Sequence, residues 1–340
     1  MNQTVATRRE AVRKKGESML RSGRLAAALL AALVCAGSAW AQNYPTRTIR
    51  LILPVPPGGP SDLLGRPLAQ KLGEQMGVQV VVDNRPGAGG HIGLELAARS
   101  APDGYTLVLG APPIAIGPSL YAKLNYDPQK DLAPISLAAV VHNVLLVHPS
   151  VPARTLKELI ELARSQPGKL NYGSGGVGVT SHLAPELLQS LAKVKMVHVP
   201  FKGVGQAVVG LLSGEIDVLV MGAPAAASHV AAGKARPLAV LSETRAPALP
   251  KVPTAREAGV EHFAIDLWYG VLGPAGTAPA IVTRLNAEIH KALGAPDLRQ
   301  KLLASGIEPR LSTPEAFAGF IRSETVRFAK VIKDAGIKPE

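Results

Sequence analysis

From residue 49 onward, short apolar runs alternate with helical stripes and glycine-rich breaks. Ile49–Leu53 is a short apolar run ended by Pro56-Pro57-Gly58-Gly59-Pro60-Ser61-Asp62. Leu63, Leu64, Leu68 and Leu72 then recur at helical spacing. Val78–Val82 is a β-branched run broken by Asn84-Arg85-Pro86-Gly87-Ala88-Gly89-Gly90; a helix near Leu94–Ala98 and a strand at Tyr105–Leu109 follow. Alternating strands and helices predict a parallel sheet with helices on its faces. In such sheets ligands bind beyond the carboxyl ends of the strands, where loops run into helix N-termini. Both glycine loops occupy such places, and their N–H groups and helix dipoles suit an anion.

A second α/β block begins near Val144. Val144–Val147 reads as a strand, and Thr155-Leu156-Lys157-Glu158 is a capping box opening a helix that stops at Pro167-Gly168. Strand Leu170–Tyr172 runs into Gly173-Ser174-Gly175-Gly176-Val177-Gly178 and a helix from Thr180 to Leu191. Strands at Met196–Val199, Ile216–Val220 and Leu238–Leu241, a helix at Val204–Leu212 and a returning strand at Trp268–Leu272 complete the pattern. The chain then turns helical over Ile281–Leu293, Pro296–Ala304 and Pro314–Lys333, the last capped by Thr313. The blocks divide as 42–143 plus 266–340 and 144–265. Two blocks of the same kind facing each other make a cleft.

The first 41 residues change the picture of where the protein works. Arg21 and Arg24 precede the apolar run Leu25–Val34, which is too short to span a bilayer, and Ala39-Trp40-Ala41 is an A-x-A cleavage site. A secretory signal cleaved after Ala41 is predicted, with translation from Met1 or from Met19. Cys35, the only cysteine, lies inside it, so the mature chain has no disulfide and no thiol chemistry. An exported, cysteine-free chain suggests a bacterial periplasm. The signal holds seven Lys/Arg and two Asp/Glu, leaving 30 basic and 23 acidic residues in the 299 of the mature protein, a net +7. These charges are scattered. They can help to attract anionic solutes, but no basic stripe interleaved with aromatics marks a nucleic-acid partner.

Gly173-x-Gly175-x-x-Gly178 fits a dinucleotide fingerprint but lacks the acidic residue about 20 positions on; Lys193–His198 stands there instead. As a carboxylate cradle the same loop is better equipped: Ser174, Thr180 and Ser181 bring hydroxyls, and residues 176–182, among them Gly176, Val177 and Gly178, bring N–H groups. No G-x-S-x-G elbow, no H-E-x-x-H and no close histidine pair is present, so no catalytic residue, metal or cofactor is expected. His182 is a ligand contact or a packed histidine. Asp62 opens a helix, where capping is favoured over ligand contact. Lys202 is a cation near a rim or a solvated lysine. Phe201 follows Pro200 at a strand's end, and Trp268 either packs between the blocks or stacks on a ligand. Asp266 is exposed or meets a ligand amine.

Several ordered motifs resemble the Bug-type receptors, the extracytoplasmic solute-binding proteins of tripartite tricarboxylate transporters. They are Pro57-Gly58-Gly59-x-x-Asp62, the Asn84–Gly90 loop, Ala101-Pro102-Asp103-Gly104-Tyr105-Thr106, Pro118-Ser119-Leu120-Tyr121, Ser181-His182-Leu183, Val199-Pro200-Phe201-Lys202-Gly203 and Gly273-Pro274-Ala275-Gly276-Thr277. The resemblance covers nearly all of residues 44–338. It implies an α/β, two-domain periplasmic-binding-protein fold, type II-like, with a ligand cleft between the domains. It also implies a monomer that captures a small organic acid and delivers it to transporter membrane components; sensing for a signalling protein is the alternative. In the family the loops matching Pro57–Asp62 and Ser174–Ser181 clamp one carboxylate. The chain departs from the family at Ala111-Pro112-Pro113-Ile114, where Ser, Thr or Asn is usual. Ala111 and Pro112 therefore predict a ligand less polar than citrate, with Trp268 or Phe201 as a stacking face.

Overall fold

The first three strands become neighbours in one sheet. A computed structural model describes residues 44–337; the predicted signal and its cleavage site lie outside the described residues. From Arg47 on, the chain forms one compact unit. β1 (Ile49–Leu53) pairs in parallel with β2 (Val80–Asn84) and β3 (Thr106–Gly110). This sheet continues through β10 (Leu267–Pro274), β4 (Leu132–Val141) and the two-residue β11 (Glu308–Pro309), in the order β11-β4-β10-β3-β1-β2. The second sheet runs β7-β6-β8-β5-β9, with β5 (Asn143–Val147), β6 (Asn171–Ser174), β7 (Val197–Pro200), β8 (Val218–Gly222) and β9 (Arg236–Val240).

The sheets are mixed, which corrects the parallel expectation. β10 is antiparallel to both β3 and β4, and β5 is antiparallel to β8 and β9. The reason is topological. The chain leaves the first sheet along β4 and comes back along β10, so it returns in the opposite direction.

Ten helices are described. α1 (Pro60–Met76), α2 (His91–Ala98) and α3 (Pro113–Leu120) belong with the first sheet. α4 (Leu156–Ser165), α5 (Thr180–Ala192), α6 (Val204–Ser213) and α7 (Ala223–Ala231) belong with the second. α8 (Pro279–Gly294), α9 (Pro296–Ala304) and α10 (Pro314–Asp334) close the chain. The expected caps form: Thr155 accepts from the Glu158 N–H at 3.1 Å and Thr313 from the Ala316 N–H at 3.2 Å. Such caps are worth about 1 kcal/mol each. The stripe of α1 buries Leu64, Leu68 and Leu72 and leaves Leu63 half exposed. α3 was hidden in the sequence. Ile114, Ala115, Ile116 and Gly117 are buried in succession, so no polar stripe gives the helix a period, and prolines stand at its start and, as Pro118, inside it. α10 packs on α3 and β4 and also touches α5, so the C-terminal helix spans both sheets.

Candidate functional site

The loop between β1 and α1 is shaped by a carboxylate. Gly58 sits at φ +95°, a conformation that favours glycine, and Gly59 is the extended N-cap of α1. The buried Asp62 turns back so that one oxygen accepts from the Gly58 N–H, while the other meets Arg66 Nε at 2.9 Å and Asn84 Nδ2 at 3.4 Å. Ser61 is also buried and hydrogen-bonds the Tyr269 hydroxyl, whose pKa burial pushes up to about 12. The capping role of Asp62 thus goes to the loop itself. Proline at position 60 has no N–H to offer, so the Ser61 N–H is the first-turn donor of α1 left without an intrahelical acceptor.

The loop between β6 and α5 is shaped by neutral groups. Ser174 is fully buried; its hydroxyl donates to Gly176 O at 2.9 Å, accepts from the Gly176 N–H at 3.2 Å and meets His198 Nε2 at 2.6 Å. The Ser181 hydroxyl accepts from the Gly175 N–H at 3.0 Å, and His182 Nδ1 accepts from the Gly178 N–H at 3.1 Å. That bond requires a neutral imidazole. Burial and then the neighbouring His198 hold the His182 pKa down to about 4. The two imidazoles stack at 4.1 Å, and Tyr172 stacks on His198 at 4.9 Å, extending the column into the core. Thr180 and Ser181 in the first turn of α5 keep N–H groups with no intrahelical acceptor.

A cavity of about 770 Å³ opens between the two sheets. It brings together the ends of α1 and α5, through Gly58 and Pro60 on one side and Thr180 and Ser181 on the other. Val141, Asn143 and Leu267, where the chain crosses between sheets, also line it. No charged residue is among its lining residues. Its polar side chains are Asn143, Thr180, Ser181 and Ser305; most of the rest is aliphatic.

The other singled-out residues lie around this cavity rather than on it. Pro57 is exposed, and Gly59, Ser61 and Asp62 stand behind Gly58. Ser174, Gly176 and His182 form the inner framework of the second loop. Val177 and Gly178 face α3, and a Cβ on Gly178 would come within 2.0 Å of Leu120 Cδ2. Ala111 is half-buried and Pro112 buried at the start of α3, where Pro112 O accepts from Ala115 and Ile116. The Phe201 ring packs beneath the loop, 3.3 Å from where a Gly173 Cβ would stand. Lys202 is exposed. Trp268 is buried edge-on against Phe317 and Phe320, on the packing side of its alternatives. Asp266 is held by His142 Nδ1 at 2.9 Å and Ser242 Oγ at 3.0 Å. Asn143, Pro224 and residues 303–307 line the cavity and were missed. Gly222-Ala223-Pro224 repeats the strand, glycine, helix pattern and was detectable; the end of α9 carries no chemical signal.

Two sheets joined by crossing strands, with helix N-termini meeting over a cleft, define a solute-binding protein of the periplasmic-binding type. Residues 64–337 match TctC, the tripartite tricarboxylate transporter family receptor, and the chain belongs to that family. Protein BugT of Bordetella pertussis is 38% identical over 300 residues, spanning 88% of this chain and 92% of that protein. The structure of R. palustris Rpa4515 with adipate superposes with a TM-score of 0.79 at 36% identity, covering 87% of this chain and all of the other. MatC from Rhodopseudomonas palustris with bound malate gives 0.74 at 31% identity, covering 85% of this chain and all of the other.

Proposed function

We propose that this protein is a periplasmic receptor that captures a small organic acid with an apolar body and delivers it to the membrane components of a tripartite tricarboxylate-type transporter. The observation that carries this reading is the cavity itself. Two helix N-termini converge on it and no charged side chain lines it. Main-chain N–H groups and the dipoles of α1 and α5 supply the attraction for one carboxylate. The aliphatic walls favour a ligand whose remainder is apolar, since a second buried carboxylate without partners costs far more than it gains. Its volume falls in the range of small-molecule sites. Adipate and malate in the R. palustris relatives support a carboxylate. The contacts assigned to the ligand are Gly58, Thr180 and Ser181; Gly59, Ser61, Asp62, Ser174, Gly176, Gly178 and His182 hold the loops that present them. The lobes 42–143 plus 266–340 and 144–265 close on the ligand about the crossings at His142 and Asp266.

A thermal-shift series with adipate, benzoate, malate and citrate tests this, because a ligand bound only by the native state raises the melting temperature. Benzoate, with one carboxylate on an apolar ring, is expected to give the largest rise. No rise with any of the four would overturn the receptor reading, and the largest rise with citrate would overturn the apolar-body assignment.

A further inference from the structure

One polar chain ties the two crossings between the sheets. His142 stands between β4 and β5, and Asp266 directly precedes β10. His142 Nδ1 meets Asp266 Oδ1 at 2.9 Å, so each crossing holds the other. The second oxygen of Asp266 accepts from Ser242 Oγ at 3.0 Å, just past β9 in the second sheet. On the other side of the ring, His142 Nε2 lies 3.3 Å from Oε2 of Glu308, in β11 of the first sheet. The chain Glu308–His142–Asp266–Ser242 therefore runs from one sheet to the other across the crossings.

Its two arms differ in what they ask of the imidazole. His142 is buried and Glu308 half exposed. The Nδ1–H can donate to Asp266 whether the ring is neutral or charged. Nε2 has no aligned hydrogen bond, although the Glu308 carboxylate stands within ion-pair reach. A neutral ring turns a lone pair toward that carboxylate, whereas an imidazolium turns an N–H toward it. Burial disfavours the charge, but the carboxylates of Asp266 and Glu308 outweigh it and raise the His142 pKa above its ordinary 6.5. The other charged residues around Asp266 are Glu243, Arg310, Glu324 and Arg327. Glu243 pairs with Arg256 and Glu324 with Arg327, and the charges acting on His142 are those of Asp266 and Glu308.

The chain is formed with the lobes in contact on both flanks of the cleft. A Cβ on Gly178 would come within 2.0 Å of Leu120 Cδ2, and one on Gly306 within 2.1 Å of Pro224 Cγ. We infer that His142 is a positioning residue for solute capture: as an imidazolium it bonds both carboxylates and holds the lobes together, and on losing its Nε2 proton it releases Glu308 and loosens the hinge. A charge-assisted hydrogen bond made in only one arrangement shifts the equilibrium between the two, here about tenfold or more. The inference rests on the hinge of the receptor reading but needs no ligand.

Small-angle scattering of the ligand-free protein at pH 6 and pH 9 tests it. His91 and His182, held down to about 4, are neutral at both. The wild-type radius of gyration is expected to be larger at pH 9. Glu308→Gln, whose amide can donate to a neutral Nε2 and accept from a protonated one, is expected to stay compact at both. Glu308→Ala, at a half-exposed position that leaves the fold intact, is expected to have the larger radius at both. The His142 imidazole signal, assigned by its loss in His142→Gln, should titrate above pH 6.5 in the wild type and lower in Glu308→Ala. The proposal is overturned if the wild-type radius is the same at the two pH values, if either Glu308 variant keeps the wild-type pH dependence, or if Glu308→Ala leaves the His142 midpoint where it was. None of these outcomes bears on whether an organic acid binds, which the thermal-shift series reads.

Discussion

The two glycine loops do one geometric job with opposite chemistry. After β1, the folded-back latch is the carboxylate of Asp62, which places a negative charge at the end of α1 where an anion would sit best. Arg66, one turn on at 2.9 Å, offsets it. After β6, the latches are the hydroxyls of Ser174 and Ser181 and the neutral imidazole of His182. These satisfy glycine N–H groups without adding charge, so the dipole of α5 meets the cleft undiminished. In the proposed receptor α5 therefore provides the stronger anion site and α1 the weaker. The second loop is also the tighter. Gly178 stands against Leu120 of α3, whereas a Cβ on Gly58 would meet nothing within 4 Å.

Valine scanning breaks this contrast most sharply. Gly178 has φ +78° and Gly58 has φ +95°, so valine strains either site by about 1–3 kcal/mol. At Gly178 an overpacking cost of about 1–3 kcal/mol is added, and Leu120 and α3 must move away from the loop. Gly178→Val should therefore lose distinctly more stability in urea unfolding than Gly58→Val, and should abolish any thermal shift that a carboxylate gives the native protein. Equal losses would mean that the fit between α3 and the second loop is not restrictive.

The second contrast is in pH. His182 has a folded pKa of about 4, against about 6.5 in the unfolded chain, because burial and His198 disfavour the imidazolium. Above pH 6.5 both states are neutral. As the pH falls from 6.5 to about 4 the unfolded chain takes up the proton first, so stability falls through that window, by about 3 kcal/mol at its foot. His182→Gln, whose amide oxygen can still accept from the Gly178 N–H, should flatten part of that slope. His91, also held down to about 4 by burial, and His198, lowered by burial, keep their share of it. Urea midpoints at pH 7.5 and 4.5 read the difference. An unchanged slope in His182→Gln would remove the neutral imidazole as the latch.

The latch of the first loop gives a smaller and simpler effect. Asp62→Ala strips the Gly58 N–H of its acceptor and Arg66 of its partner, and should cost about 1.5–3 kcal/mol, as for a hydrogen bond to a charged group. Asp62→Asn retains an acceptor oxygen and should cost about half as much. Equal costs in urea unfolding would show that the charge, rather than the acceptor, holds the loop.

Much of the fold was legible in the sequence because its signals are local. Strand and helix periodicity placed β1, α1, β6 and α5, and the caps at Thr155 and Thr313 marked helix starts that the structure keeps. The resemblance then supplied the family. Three kinds of information were not local. Sheet polarity depends on where the chain returns, so β10 reads as a strand in sequence but its direction does not. α3 buries Ile114 to Gly117 in succession and carries no amphipathic period. Side-chain direction at the loops depends on neighbours far along the chain: Ser174 turns inward to His198, and Trp268 turns to Phe317 and Phe320. Hydroxyls and aromatics beside a glycine loop look like ligand contacts until such partners are known.

Lys202 tests the smallest effect. It directly follows Phe201 at the end of β7, and as a cation near two loops suited to an anion it is the electrostatic alternative to the helix dipoles. In the structure its side chain is exposed and forms no ion pair among the described residues, while its N–H donates to Gln206 Oε1 at 3.1 Å. A solvated charge is screened over about a Debye length, roughly 8 Å at physiological ionic strength. Removal of an exposed side chain with no partner usually changes stability by less than about 0.5 kcal/mol. Lys202→Ala should therefore leave the urea midpoint nearly unchanged and the affinity for whichever carboxylate raises the melting temperature within about twofold, at 50 and at 300 mM salt alike. A tenfold loss that fades at high salt would mean that Lys202 reaches toward the bound anion and that the uncharged second loop does not hold the carboxylate unaided.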